Sequence, residues 1–332
     1  MKNKLSLAYV PTPLWRHDRL DALVGTEVWV KRDDLTASGA AGNKIRKLDY
    51  LAAEALARGA TTLVTCGGQQ SNHARATAIV AAELGLRAVL LLRTVNPKEP
   101  PPVVGNLLLD YLVGAEVRFI TPAEYRERDA LMAGVARELG ARGERPYVIP
   151  EGGSNGLGSL GYVDAMAEVR AQLDAGLAGS IRTFDAVVHA CGSGGTAAGT
   201  TLGAKKHGIA PVTHAMAVCD DRAYFDAVVA RIIGETVALE PTLDAHARPV
   251  VHDAWKGPAY GLPSAEQVAF IVEVAQKTGL LLDPVYTGKA LFGLSRLEDK
   301  PKRALFLHTG GIPGLLAQAE AFAGASGRVG QG

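Results

Sequence analysis

The sequence predicts an α/β fold built on largely parallel sheets, and two observations carry that expectation. Short apolar, β-rich runs alternate with alanine- and leucine-rich segments of helical period, the pattern of parallel strands joined by crossover helices. The chain is also long, 332 residues with 48% hydrophobic content, which is roughly two domains' worth of polypeptide with a sizeable core.

In chain order, EVWVKRDDL reads as a strand. Behind it, SGAAGNKIRKLDYL sets Lys44 directly after a Gly-Asn turn. Leu48, Leu51, Ala52 and Leu56 then recur at helical spacing, so Asn43 is expected as N-cap and Lys44 as the first helical residue. An amine there feels the positive end of the helix dipole, and desolvation in a cleft lowers its pKa further. A partly neutral lysine can attack an aldehyde to form a Schiff base. A solvated basic helix start would carry the same residues, because Arg46 and Lys47 follow. TTLVTCGG, HARATAIVAAELG, RAVLLLR and AEVRFI continue the alternation. Val95 to Asn106, VNPKEPPPVVGN, is a Pro-loaded surface loop between two apolar elements, placed to move over a cleft. PEGGSNGLGSLGY, at 150 to 162, ends a strand, opens a helix and is the expected crossing between lobes. FDAVVHACGSGG and TAAGTTLGAKKHG form the next strand and helix. LLLD is expected as a buried strand before PVYTGKALFGL, and ALFLH as the last strand before TGGIPG.

The charge balance, 35 Lys+Arg against 34 Asp+Glu, argues against a nucleic-acid or acidic-membrane partner and favours a small molecule. Cys66, Cys191 and Cys219 are odd in number and lack metal-ligand spacing, so no metal site and no disulfide framework is expected, and a reducing compartment is. With no long apolar segment at the start and no run of about 18 apolar residues, the expectation is a soluble, cytoplasmic protein.

Ligands of doubly wound sheets sit beyond the carboxyl ends of the strands, and four loops qualify. GGQQSNHA puts Ser71 and Asn72 at a helix entry, where N–H groups and side-chain donors suit a carboxylate, although an ordinary N-cap looks the same. CGSGGTAAG lets Gly192, Gly194 and Gly195 bring backbone close to a phosphate, with Ser193 and Thr196 adding hydroxyls. The same loop matches a relaxed dinucleotide fingerprint through Gly192, Gly194 and Ala197, and Asp220 follows at a distance suited to a ribose, so an NAD-dependent dehydrogenase is a rival. Tyr286 and Thr287 in the third loop, Thr309 in the fourth, and Tyr260 in GPAYGLPS are equally readable as packing or caps. Lysine, carboxylate clamp, phosphate cup and aromatic platform are together the set a pyridoxal phosphate site requires.

Taken together, KRDDLTASGAAGNKIRKLDYL, GGQQSNHARATA, GYVDA, GSGGTAAG, PAYGLPS, LDPVYTGKA and HTGGIPG resemble the pyridoxal-phosphate enzymes of the D-cysteine desulfhydrase and 1-aminocyclopropane-1-carboxylate deaminase family, from about residue 8 to residue 325. The resemblance implies the tryptophan-synthase-β-like fold, fold type II. Two open α/β lobes would clasp the cofactor, a smaller one over 50–157 and a larger one over 1–49 plus 158–332. It implies a homodimer as well. It makes Lys44, Ser71, Tyr260 and Tyr286 the catalytic set, with Lys44 carrying pyridoxal 5'-phosphate. Asn72 would bond the pyridine 3-hydroxyl, and Gly192, Ser193, Gly194, Gly195 and Thr196 would bind the phosphate. Tyr286 would stack on the ring, Tyr260 would face the substrate, and Ser71, Asn72 and His73 would hold the substrate carboxylate. Ala41 stands where many members have glycine.

Two departures bear on specificity. Cyclopropane-carboxylate deaminases have Glu where this chain has Thr287 and Leu where it has Thr309; desulfhydrase-like members carry hydroxyl residues there. Both threonines would lie near the pyridine nitrogen, Thr309 the closer, with Thr287 toward the substrate. A hydroxyl there makes a weaker electron sink than a carboxylate, which hurts ring opening more than β-elimination. The resemblance therefore implies a lyase that releases pyruvate, ammonia and sulfide from D-cysteine or a similar β-substituted amino acid. The deaminase and an L-cysteate sulfo-lyase are the alternatives, and a non-catalytic relative is a further class.

Overall fold

The structure, a computed structural model, describes residues 3–323; residues 1–2 and 324–332 of the expected larger lobe, and the last two residues of the resemblance, lie outside the described residues. In chain order the elements begin with β1 (Leu14–Arg16), α1 (Asp18–Val24), β2 (Glu27–Lys31) and α2 (Lys44–Ala57). The next stretch holds β3 (Thr62–Gly68), α3 (Asn72–Glu83), β4 (Arg87–Arg93), α4 (Gly105–Leu112), β5 (Glu116–Ile120), α5 (Pro122–Arg126), α6 (Arg128–Ala141) and β6 (Pro146–Val148). The remainder holds α7 (Gly156–Asp174), β7 (Ala186–Cys191), α8 (Gly195–Lys206), β8 (Val212–Ala217), α9 (Arg222–Leu239), β9 (Val250–His252), α10 (Ala265–Thr278), α11 (Thr287–Arg296), β10 (Arg303–Leu307) and α12 (Ile312–Leu316).

The strands sort into two sheets. One runs β5-β4-β3-β6, parallel throughout; the other runs β1-β2-β10-β7-β8-β9, parallel except for β1 at its edge. Both faces of the smaller sheet are covered. Leu63 and Leu90 pack with Leu48 and Leu51 of α2, while Val64, Cys66, Val89 and Leu91 pack with Met132 and Leu139 of α6. This is why β3 and β4 read as unbroken apolar runs. On α2 the apolar stripe is as expected except at its end, where Leu56 is exposed and Ala55 is buried. The expected lobe limits at 49/50 and 157/158 fall inside α2 and α7, which pack on each other.

Two local expectations change. The Pro-loaded loop ends earlier than Asn106, since α4 starts at Gly105. Asn106 is fully buried, its N–H on Gln70 Oε1 (2.9 Å) and its Nδ2 on Gln70 O (3.0 Å). Gly105 adopts a φ of 57°, and a Cβ there would lie 2.4 Å from Pro313 O. LLLD is not a strand: Leu280 to Asp283 carries no sheet pairing, because Asp283 turns back to cap the following helix.

Candidate active site

β3, β7 and β10 end on one side of the molecule, and α2, α3, α8 and α11 begin there. A cleft of about 610 Å³ opens between these ends. Lys44 is the first residue of α2, as expected, but Asn43 does not cap with its side chain. Asn43 Nδ2 instead donates to Thr196 Oγ1 (3.0 Å), and Asn43 Oδ1 accepts from Lys44 Nζ (3.0 Å), tying the amine to the glycine loop. Part of the Lys44 side chain faces the cleft. Burial pushes its pKa down to about 8, with Asp283 opposing and Arg75 adding to the fall. Roughly a tenth of such an amine is neutral at pH 7.

Ser71 and Asn72 line the cleft at the start of α3. Ser71 Oγ caps the helix by accepting from Ala74 N (3.1 Å), which leaves its own proton free to donate. Asn72 Oδ1 is buried without a partner. His73 also lines the cleft, but its ring cannot clamp a carboxylate as expected. Thr65 gives its proton to Ile149 O (2.8 Å), so His73 Nε2 must donate to Thr65 (2.9 Å), and Nδ1 is left as an acceptor. Burial, then Lys44 and Lys47, hold this imidazole well below its usual pKa and therefore neutral. Only its backbone N–H, in the first turn of α3, remains as an anion donor.

Between β7 and α8, Gly192, Ser193, Gly194 and Thr196 reach the cleft; Gly195 does not. Gly195 N donates to Ser154 Oγ (3.1 Å), which also pairs with Ser193 Oγ (2.8 Å) and receives Lys47 Nζ (3.3 Å). This loop is therefore braced from behind by a fully buried lysine. Gly194 has a φ of 86°, and a Cβ on Gly192 would come within 3.0 Å of the Tyr286 ring.

Tyr286 precedes α11, and its ring lies 5.8 Å from Lys44 Nζ. Its hydroxyl shares a hydrogen bond with that of Tyr260 (2.7 Å), and burial pushes both phenols up, Tyr260 to about 12, so both stay protonated at neutral pH. Lys289 Nζ donates to Lys256 O (2.6 Å) and Ala259 O (3.1 Å), which holds the segment carrying Tyr260. Thr309, past β10, lines the cleft. Thr287 does not. It is fully buried, and its hydroxyl donates to Asp283 Oδ1 (2.7 Å) while accepting from Asp283 N (2.9 Å). Its expected place beside the substrate is given up to capping α11.

Arg75 and Asp110 escaped the sequence reading. Arg75 donates to Gly39 O (2.7 Å) and Ala41 O (2.8 Å), clamping the turn before Lys44. Asp110, on the buried face of α4, has both carboxylate oxygens without partners, and burial pushes it up to about 7 against the pull of Arg75. A folded-state pKa above the unfolded value of about 3.9 means that the stability it contributes is whole below about pH 4 and is lost as pH rises to 7. Asp110→Asn should therefore be more stable than wild type at pH 8, by up to about 4 kcal/mol, and much less so at pH 5. Urea unfolding at the two pH values checks this; a pH-independent difference would contradict it.

These residues fit a phosphorylated pyridine aldehyde. Lys44 offers an amine, the glycine loop offers a helix start whose backbone course leaves no room for a Cβ beside Tyr286 at Gly192 or beside Val228 at Gly194, and Asn72 brings an unpartnered amide oxygen. Comparison with known proteins agrees. The model of the family described as pyridoxal-phosphate dependent enzyme matches residues 5–310. The chain is 42% identical to a bifunctional D-cysteine desulfhydrase/1-aminocyclopropane-1-carboxylate deaminase of Arabidopsis thaliana, over 96% of this chain and 80% of that one. It is 41% identical to a D-cysteine desulfhydrase of Serratia proteamaculans, over 95% of each. A solved ACC deaminase homologue superposes with a TM-score of 0.88 at 36% identity, over 97% of this chain and 96% of that one, so the fold type II architecture holds. The dinucleotide reading of Gly192, Gly194 and Ala197 is set aside by the same match. The chain belongs to the family of pyridoxal-phosphate dependent enzymes.

Proposed function

We propose that this enzyme catalyses β-elimination from D-cysteine or a similar β-substituted amino acid, releasing pyruvate, ammonia and sulfide. Bound at Lys44, the cofactor supplies an electron sink for the Cα carbanion. Lys44 Nζ, freed as an amine when the substrate's own amine takes its place on the cofactor, would take the Cα proton, for which its lowered pKa suits it. Ser71 and the first N–H groups of α3 hold the substrate carboxylate, and Asn72 orients the cofactor ring. Gly192, Ser193, Gly194 and Thr196 hold the phosphate, with Gly195 in a bracing role. Tyr286 stacks on the ring and, with Tyr260, offers protonated hydroxyls on the substrate side.

The observation that carries elimination over ring opening is the pair of threonines. Thr309 is the cleft residue at the end of β10 and brings a hydroxyl, while Thr287 brings no carboxylate and is turned away into the Asp283 cap. Relatives at about 40% identity are named D-cysteine desulfhydrase, and the Arabidopsis relative carries both names. Assayed side by side, D-cysteine should yield sulfide and pyruvate. 1-Aminocyclopropane-1-carboxylate should yield 2-oxobutyrate with kcat/KM lower by at least about tenfold, 1.4 kcal/mol in the barrier. Robust 2-oxobutyrate formation would reverse the assignment.

A cytoplasmic homodimer completes the proposal. It is supported by the free thiols of Cys66, Cys191 and Cys219 and by Leu108, Tyr111, Leu112 and Leu316, which expose apolar surface on the neighbouring helices α4 and α12. No helix among the described residues is long and apolar enough to cross a membrane.

A further inference from the structure

One cation in the cleft has no task in the chemistry above. Arg93 is the last residue of β4, in register with Gly68 at the end of β3. Because Gly68 has no side chain, the Tyr260 ring can lie against it; a Cβ there would be 3.3 Å from Tyr260 Cε1. The Arg93 guanidinium lies over two aromatic rings, its carbon 5.4 Å from the centre of Tyr260 and 4.8 Å from that of Tyr125. Tyr125 is itself fixed, its hydroxyl donating to Glu151 Oε1 (2.6 Å), while the other oxygen of Glu151 pairs with Arg128 Nε (2.9 Å). The nearby carboxylate is therefore taken. Among the described residues, no carbonyl or carboxylate accepts a hydrogen bond from the Arg93 side chain, which is half-buried and faces the cleft.

A guanidinium that rests over aromatic rings and donates no hydrogen bond keeps its N–H groups for a ligand, and those groups are suited to an anion. Other anions of the reaction already have donors. The substrate carboxylate has the start of α3, and the cofactor phosphate has the start of α8. Arg93 stands beyond Tyr260 in the succession Lys44, Tyr286, Tyr260, Arg93, each next to the one before. What remains for it is the far end of the substrate. We propose that Arg93 is a specificity residue that binds a negatively charged substituent on the substrate's β-carbon, the thiolate of cysteine or the sulfonate of cysteate. It rests on the elimination reading above and narrows its substrate class.

The elimination balances with such a group. The Cα proton goes to Lys44 Nζ, and the bond from Cβ to sulfur breaks with its electron pair leaving on sulfur, as sulfite from cysteate or as hydrosulfide from cysteine whose bound thiolate first takes a proton from solvent. Water hydrolyses the remaining enamine to pyruvate and ammonia, which the proton from Lys44 converts to ammonium.

The test compares holoenzymes of wild type, Arg93→Met and Arg93→Lys. Each is assayed for pyruvate from both enantiomers of cysteine, cysteate and the neutral analogue β-chloroalanine. Binding of aspartate and of alanine is followed in parallel by the change in cofactor absorbance. Hydrogen bonds to a charged group of the usual strength correspond to about 10- to 100-fold. Arg93→Met should lower the kcat/KM ratio of cysteate or cysteine to β-chloroalanine by that factor, and the aspartate-to-alanine affinity ratio likewise. Arg93→Lys should keep most of both ratios. Equal losses for charged and neutral compounds would overturn the assignment and leave Arg93 as a prop for the Tyr260 wall. If wild type eliminates none of these substrates, the elimination reading fails on its own, and the aspartate-to-alanine ratio still decides for or against Arg93.

Discussion

Lys44→Ala is expected to leave a folded protein with no measurable turnover. Two functions end at one atom, covalent attachment of the cofactor and transfer of the Cα proton. A positioned general base alone is worth roughly 10²- to 10⁴-fold in rate, and the loss of attachment compounds it. Stability should hardly change. Among the described residues Lys44 makes one side-chain hydrogen bond, to Asn43 Oδ1, and no ion pair, and its removal takes an unfavourable desolvated cation with it. The measurements are pyruvate release at high enzyme concentration, cofactor absorbance before and after borohydride reduction, and the urea midpoint. Activity within tenfold of wild type would sink both the anchor and the base assignment.

The parts of this site that sequence exposes are those where chemistry follows local spacing. Lys44 at a helix start, Ser71 as a cap and the glycines after β7 are all defined by neighbours within a few residues. Three features were hidden for physical reasons. LLLD has the apolar content of a strand, but an aspartate four residues before a threonine prefers to cap the next helix, and Asp283 thereby decides where Thr287 points. His73 looks like a donor until the proton of Thr65 is traced to Ile149 O, a partner 84 residues away. Lys31, Lys47 and Lys289 are fully buried, although lysine is a residue type that is almost never buried. Their acceptors come from distant segments, so no local pattern marks them.

The largest effect on stability is expected at Asp33, in the KRDD stretch that follows β2. It is fully buried and accepts four hydrogen bonds: Arg46 Nε (2.8 Å), Arg46 Nη2 (2.8 Å), Tyr162 Oη (2.7 Å) and Thr12 Oγ1 (2.9 Å). Arg46 in turn reaches Glu168 (2.9 Å), which also pairs with the buried Lys31. The network joins α2, two residues past Lys44, to α7, so it also sets the position of the catalytic helix. Asp33→Ala removes two of the five hydrogen bonds that the buried Arg46 guanidinium makes among the described residues, and breaking a buried pair in this way costs about 3–5 kcal/mol. Arg46→Met should cost a similar amount, and the double variant clearly less than the sum of the two, because it leaves neither charge stranded. Burial raises the carboxyl pKa, but the charge and hydrogen bonds of Arg46 outweigh it, so the folded value lies below the unfolded one. The stability from Asp33 is therefore present above about pH 4 and lost as pH falls below that. Urea unfolding of the four proteins at pH 7 measures the coupling. A loss under about 1 kcal/mol for Asp33→Ala, or strict additivity in the double variant, would show that the network does not hold α2 to α7.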